Sequence, residues 1–239
     1  MVLTVGAVLG AGGARAGDVE RLRTPVPPPP SIGPPDPLRP VLHLAWLDVS
    51  GIALGLEGIA RSETDSVFGR TGVTIEWRRA DATEPARPRE VRVVLLDRLL
   101  VDPGTGRPIL GATPATSRTY PVVWIHLPGV RATLRLPPRS RGRDLPPRER
   151  RDLGLAVGRV VAHEVVHAAF PELSHGRGLM SKALTRRELT APRIDFEPGL
   201  ALVFQAAQRG IPGATAPESA VLAVSGETEI GTHARKIVH

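Results

Sequence analysis

Residues 163–180 read HEVVHAAFPELSHGRGLM, and this stretch decides the expected fold. His163 and His167 are four positions apart, so on a helix of 3.6 residues per turn their side chains project from the same face. Two imidazole nitrogens presented in this way suit a single metal ion, and this spacing is typical of Zn²⁺ sites. Glu164 lies beside them, where its carboxylate can accept a proton from a water that the metal activates.

The helix that carries this motif is expected to be buried. From Leu153 to Phe170 the residues are apolar nearly all round a helical surface, which is typical of a buried helix. Ionisable groups inside such a helix cost several kcal/mol unless they are compensated. A bound metal ion supplies that compensation, so a chance match or a pair of solvent-facing histidines is disfavoured.

Two residues are candidates for the third metal ligand. His175 comes after Pro171, which should end the helix and turn the chain back toward the metal. Glu188 lies further along, in a short polar segment closed by Pro192. We favour His175, because three histidines leave open the fourth position that a catalytic zinc site requires.

The segment from His163 to Met180 resembles the metzincin clan of zinc peptidases, whose pattern is HExxHxxGxxH followed by a turn containing a methionine. It is similar in particular to a group of bacterial metalloproteases with the longer HExxH-x7-H spacing. Phe170 stands where the clan has glycine, and His175 comes two residues late. The resemblance implies Zn²⁺ as the cofactor and a common set of roles: metal ligands His163, His167 and His175, general base Glu164 and Met-turn residue Met180.

The rest of the pattern predicts a strand, a helix and four further strands before the motif helix. The strand-like runs are 41–49, 73–77, 91–96, 109–113 and 122–127, and the helical runs are 52–68 and, after the motif, 196–209. This order fits an α+β domain with a mixed twisted sheet, a backing helix and the metal at one edge. The resemblance implies the same zincin-like domain, with an antiparallel edge strand, the HExxH active-site helix and a C-terminal helix.

The run 109–113 is expected to be that edge strand. The resemblance implies that a peptide substrate lies extended along it. Gly111 and Ala112 are small enough to let a substrate backbone approach and add a strand through main-chain hydrogen bonds. An edge strand without any ligand accounts for these residues equally well.

One catalytic domain, residues 41–210, suits a chain of 239 residues with 41% hydrophobic content. Residues 1–16 look like a leader, because an apolar run precedes Ala14-Arg15-Ala16, although no basic residue comes before it. Residues 17–40 are proline-rich and predict an extended linker, and residues 211–239 predict a poorly ordered tail. The leader favours a secreted or periplasmic protein over a cytoplasmic one.

Composition excludes several classes of protein. There is no cysteine, which excludes disulfides and cysteine-based catalysis, and no apolar run is long enough to predict a transmembrane segment. Much of the net charge of +7 comes from arginines between residues 131 and 151. Acidic residues and prolines interrupt that cluster and only 3% of the chain is aromatic, so a solvated loop is favoured over nucleic-acid binding.

The sequence therefore predicts a monomeric zinc-dependent endopeptidase that acts on peptides or proteins. Its alternative is a catalytically inactive, zinc-stabilised module that binds a peptide or a polymer. Glu164 favours the enzyme, because a purely structural zinc site usually closes with a fourth protein ligand and needs no adjacent base.

Overall fold

The computed structural model describes residues 40–114, 121–138, 141–200 and 202–203. This part of the chain contains a five-stranded sheet backed by helices. These residues belong to one compact unit. Short 3-10 turns lie at Gly142–Asp144 and Gly178–Met180. The strands and helices in chain order are β1 (Val41–Leu47), α1 (Glu57–Gly69), β2 (Thr74–Arg79), β3 (Glu90–Leu96), β4 (Gly111–Ala112), β5 (Val122–His126), α2 (Leu127–Leu134), α3 (Pro147–Ala169) and α4 (Arg186–Thr190).

The sheet has the strand order β2-β1-β3-β5-β4. Strands β1, β2, β3 and β5 run parallel, whereas β4 is antiparallel to β5 at one edge. Neighbouring strands align Trp46 with Val93 and Val93 with Val123, and all three side chains are buried. The expected mixed sheet with helices is thereby confirmed.

Helices α1 and α3 cross closely beside this sheet. Gly158 of α3 lies against α1, because a Cβ added there would stand only 2.5 Å from the main-chain oxygen of Ala60. The buried hydroxyl of Thr64 has two acceptors for its one proton, the main-chain oxygens of Ala60 and Gly158, at 2.9 and 3.0 Å. The crossing therefore depends on a small residue in α3 and on the hydroxyl of Thr64, which contacts main-chain oxygens of both helices.

A buried ion pair joins the same helices. Arg159 of α3 is only 1% exposed, and its Nε donates to Oε1 of Glu63 in α1 at 2.7 Å. Its Nη1 donates to the main-chain oxygen of Glu188 in α4 at 2.8 Å. Since a buried guanidinium without partners would be costly, these contacts tie α1, α3 and α4 together.

Helix α1 begins later than the predicted start at residue 52. The carboxylate of Asp48 accepts hydrogen bonds from the main-chain N–H groups of Ile52 and Ala53, at 3.1 and 2.9 Å. Gly55 then adopts a φ of +85°, a left-handed conformation that interrupts a helix. Residues 52–56 consequently form turns, and the helix starts at Glu57.

Helix α2 was not among the predicted elements. It starts directly after β5, and Pro128 occupies its first turn, where a missing N–H does no harm. It ends after eight residues at Leu134, and the residue that follows, Arg135, has a φ of +61°. Arg131, expected in a solvated loop, is instead buried in this helix, so that expectation is wrong for Arg131.

The motif helix ends where the sequence predicts. Helix α3 terminates at Ala169, and Phe170 and Pro171 follow it. Residues 198–200 and 202–203 are helical, in agreement with the start of the last predicted helix. The predicted leader (1–16), most of the linker (17–40) and the tail (211–239) lie outside the described residues. Among the helices that the structure describes, none is both long and apolar enough to cross a membrane.

Candidate metal centre

Three histidines converge at the C-terminal end of α3. His163 and His167 belong to the helix, and His175 comes from the loop after it. One ring nitrogen from each lies within 4.8 Å of the other two, so the three side chains can share one ion. The structure thus brings together the three residues that the sequence predicts as ligands.

The surroundings of His163 determine which of its ring nitrogens is free. Its Nδ1 lies 2.7 Å from the main-chain oxygen of Leu179. A carbonyl oxygen can only accept, so Nδ1 carries the proton and Nε2 keeps its lone pair. A hydrogen bond of this type commonly orients a metal-binding histidine.

The other ring nitrogens and the protonation states also fit a metal ion. Nε2 of His167 is buried and has no hydrogen-bond partner among the described residues. Burial, followed by the proximity of His163 and His175, lowers the pKa of His167 to about 4. Burial likewise lowers the pKa of His163 and of His175. Three neutral imidazoles, one with a buried nitrogen that lacks a partner, are a suitable set of ligands for Zn²⁺.

The loop after His175 is held by main-chain hydrogen bonds. Met180 is buried, and its carbonyl accepts from the N–H of Gly176 at 2.9 Å. The N–H of Leu179 donates to the main-chain oxygen of Asp195 at 3.2 Å. Leu179 therefore makes two main-chain hydrogen bonds, one through its carbonyl to His163 and one through its N–H to Asp195.

Side chains then secure the segment around Asp195. Arg70, just after α1, donates to the Asp195 carboxylate and to the main-chain oxygen of Ile194. Glu197 accepts a hydrogen bond from the main-chain N–H of Arg177 at 2.7 Å. The loop that carries His175 is thereby fastened to residues 194–197, and those residues to the end of α1.

Glu164 is almost fully buried, with 7% of its surface exposed. Its Oε2 accepts a hydrogen bond of 2.9 Å from the hydroxyl of Thr113. Burial raises the pKa of Glu164 to about 7, and the bond from Thr113 opposes that rise. A carboxyl group with a pKa close to neutrality can both accept and release a proton at physiological pH.

Gly111 faces this carboxyl group. A Cβ at Gly111 would lie 2.6 Å from Cγ and 2.8 Å from Oε1 of Glu164, so only glycine leaves room for that side chain. Gly111 and Ala112 are half-buried in β4, which pairs with β5 on one side and with no other described strand. The sequence leaves substrate approach and a ligand-free edge strand as equal explanations of the small residue at 111, and the structure provides a packing reason, the side chain of Glu164.

Glu188, the alternative third ligand, is not part of the histidine cluster. Its side chain accepts hydrogen bonds from the main-chain N–H and the hydroxyl of Thr185, at 2.7 and 2.8 Å. Together with the reciprocal bond from the N–H of Glu188, this forms a capping box at the start of α4. The capping spacing T-x-x-E is visible in the sequence and is sufficient to explain Glu188.

Thr113 is a residue of the site that the sequence did not single out. It follows β4 and lies 51 positions before Glu164 in the chain. A threonine at the end of a short strand carries no sequence signal for such a contact.

Comparison with known proteins assigns no family. No protein-family model matches the chain, and no curated protein matches it. The fold is similar to the crystal structure of archaemetzincin from Methanopyrus kandleri, with 16% identity and a TM-score of 0.45. That similarity covers 73% of this chain and 98% of the archaemetzincin chain. At these values the similarity assigns neither a family nor an activity.

Proposed function

We propose that this protein is a zinc-dependent endopeptidase. The observation that carries the proposal is the cluster of His163, His167 and His175, together with a buried carboxyl group on the residue that follows His163, Glu164. Zn²⁺, when bound, would supply a Lewis acid that activates a water molecule and polarises a peptide carbonyl. Three protein ligands are the number expected of a catalytic site, because the fourth position stays available.

Glu164 is the residue that moves protons in this proposal. It accepts a proton from the attacking water and then delivers it to the leaving amine, so the same carboxyl group acts first as base and then as acid. Its pKa of about 7 suits both steps near neutral pH. Met180, buried in the turn after the third histidine, is the proposed Met-turn residue that forms the floor of the site.

The edge strand β4 is the proposed site for the substrate. A peptide can pair with the edge of β4 that β5 leaves free, through the main chain of Gly111 and Ala112. Glu164 packs against the same strand, so a peptide paired there would run past the proton-transferring group. An extended strand continues in both directions from the reacting bond, which favours internal cleavage.

The substitution Glu164→Gln tests the proposal. We expect one zinc ion per chain in both proteins and a loss of peptide cleavage by a factor of about 10²–10⁴ in the variant, because the amide cannot accept the proton. Zinc is measured by elemental analysis, and cleavage with a broad peptide library. Glu172→Gln is the matched control, because Glu172 is exposed in the loop between His167 and His175.

Two outcomes would contradict this function. One is a wild-type protein that carries zinc and cleaves no peptide of the library, which would favour a zinc-stabilised binding module. The other is a Glu164→Gln variant that cleaves at the wild-type rate.

A further inference from the structure

We propose that Thr113 is a positioning residue that holds the carboxylate of Glu164 in its reactive orientation. This inference rests on the function proposed above. It concerns a contact between the end of the edge strand and the motif helix.

The hydroxyl of Thr113 has two acceptors on the same residue. Its Oγ1 lies 2.9 Å from Oε2 of Glu164 and 3.0 Å from the main-chain oxygen of Glu164. A hydroxyl donates one proton, and an ionised carboxylate is the stronger acceptor of the two. When Glu164 is ionised, the proton of Thr113 therefore points to Oε2, and Oε1 remains available for the attacking water.

Gly111 completes the support of this side chain. Residues two positions apart on an extended chain face the same side, so Gly111 and Thr113 both face α3. The Cγ and Oε1 atoms of Glu164 fill the space that a Cβ at Gly111 would need. The edge of the sheet thus supplies room for the side chain at one position and a hydrogen-bond donor at the other.

Positioning matters here because glutamate is a long side chain with three torsions, each of which affects where the carboxylate oxygens lie. A displacement of about 1 Å at a reacting group can lower a rate by about 100-fold. Among the hydrogen bonds of the described residues, the bond from Thr113 is the one that reaches the carboxylate of Glu164. A single donor therefore restricts the orientation of the base.

A purely structural role for Thr113 makes different predictions. Its bond to the main-chain oxygen of Glu164 would fasten β4 to α3 whatever side chain stood at position 164. Removal of the hydroxyl would then lower stability without a specific effect on the reaction. The two roles are separated by kinetics and by a comparison of variants in the metal-free protein.

The kinetic test compares Thr113→Val with Thr113→Ser. Valine keeps the shape and removes the donor, and we expect kcat to fall about 10- to 100-fold, because a hydrogen bond to a charged group is lost. KM should change less than about twofold and the zinc content should stay constant, since the base binds neither substrate nor metal. Serine restores the donor and should recover most of kcat. Thr133→Val is the control, because Thr133 is similarly half-buried and donates to the carbonyl of Gly129 at 3.1 Å.

The second readout needs neither zinc nor activity. The melting temperature of the metal-free protein is measured for Thr113→Val in the wild-type background and in a Glu164→Ala background. If the carboxylate is the partner, the loss of melting temperature should be smaller in the alanine background.

Wild-type kcat in a zinc-loaded Thr113→Val protein would overturn the inference and leave the proposed function intact. Equal losses of melting temperature in the two backgrounds would also overturn it. A wild-type protein that cleaves nothing would instead refute the proposed function, and the melting temperatures would then decide alone whether Thr113 holds Glu164.

Discussion

Gly158 of α3 packs directly against Ala60 of α1, since a Cβ on Gly158 would stand 2.5 Å from the main-chain oxygen of Ala60. Gly158→Ala must therefore push α1 away from α3. Overpacking of this kind costs about 1–3 kcal/mol, and we expect that loss in the free energy of unfolding of the metal-free protein, measured in urea.

Gly58→Ala is the matched control for this crossing. Gly58 lies in α1, and a Cβ added there would meet no described heavy atom within 4 Å, so alanine should raise stability by about 0.5–1 kcal/mol through helix propensity. Equal effects of the two substitutions would contradict the close packing at Gly158.

Removal of His175 tests the third ligand. Removal of a residue that only supports a metal ligand typically lowers metal affinity 10- to 100-fold. Because His175 is a proposed ligand itself, His175→Ala should lower zinc affinity by at least that much. Affinity is measured by competition with a chelator of known strength. His43→Ala is the control, because His43 is half-exposed and is not part of the cluster. Its Nδ1 lies 3.2 Å from Oε2 of Glu76. Unchanged affinity in His175→Ala would exclude His175 as a ligand.

Arg70→Ala tests the support of the loop from α1. The guanidinium holds Asp195 and Ile194, and Asp195 in turn holds Leu179. We expect zinc affinity to fall about 10-fold, at the low end of the range for residues that act behind the ligands.

Arg193→Ala is the comparison variant for Arg70. Arg193 contacts the same carboxylate but is 70% exposed, so its loss should have little effect. Similar zinc affinities in the two variants would mean that the link to α1 does not support the site.

The stability of the metal-free protein should depend on pH through Glu164. Burial raises the pKa of this carboxyl from 4.5 to about 7, so the folded protein holds the proton more tightly than the unfolded chain does. The contribution of Glu164 to stability therefore falls as pH rises from about 4.5 through 7. The lowered pKa values of the three histidines act in the opposite direction, and they do so in the wild type and in Glu164→Gln alike, so the difference between the two proteins reports on Glu164. Glu164→Gln lacks this titration and should be the more stable protein above pH 7, by at most about 3 kcal/mol.

Urea unfolding of the metal-free wild type and of Glu164→Gln across pH 4–8 provides the measurement. Stability curves of the two proteins that run parallel over this range would contradict the burial of an ionisable group at this position.

Three strands of the sheet were predictable because the runs that form them are rich in β-branched residues. The runs 73–77, 91–96 and 122–127 correspond to β2, β3 and β5 within two residues at each end. Helix α2 escaped prediction because it has only eight residues and begins with Leu127, Pro128 and Gly129, a combination that normally indicates a loop. The start of α1 escaped because it depends on the carboxylate of Asp48 and on a left-handed Gly55, which are features of three-dimensional structure.

In the site, the histidines were predictable and their support was not. Helix geometry puts His163 and His167 on one face because they are four residues apart. The proline before His175 indicates where the helix ends and the chain turns back. The contact between Thr113 and Glu164 joins residues 51 positions apart and could only be found in the fold.

The two main-chain hydrogen bonds of Leu179 have a consequence for how this protein can evolve. Both of its bonds use main-chain atoms, which every residue type except proline can provide. A substitution at Leu179 that leaves the main chain in place therefore keeps the hydrogen bond that orients the imidazole of His163. Homologues could thus differ in side chain at position 179, within what the core accommodates, and still share this arrangement.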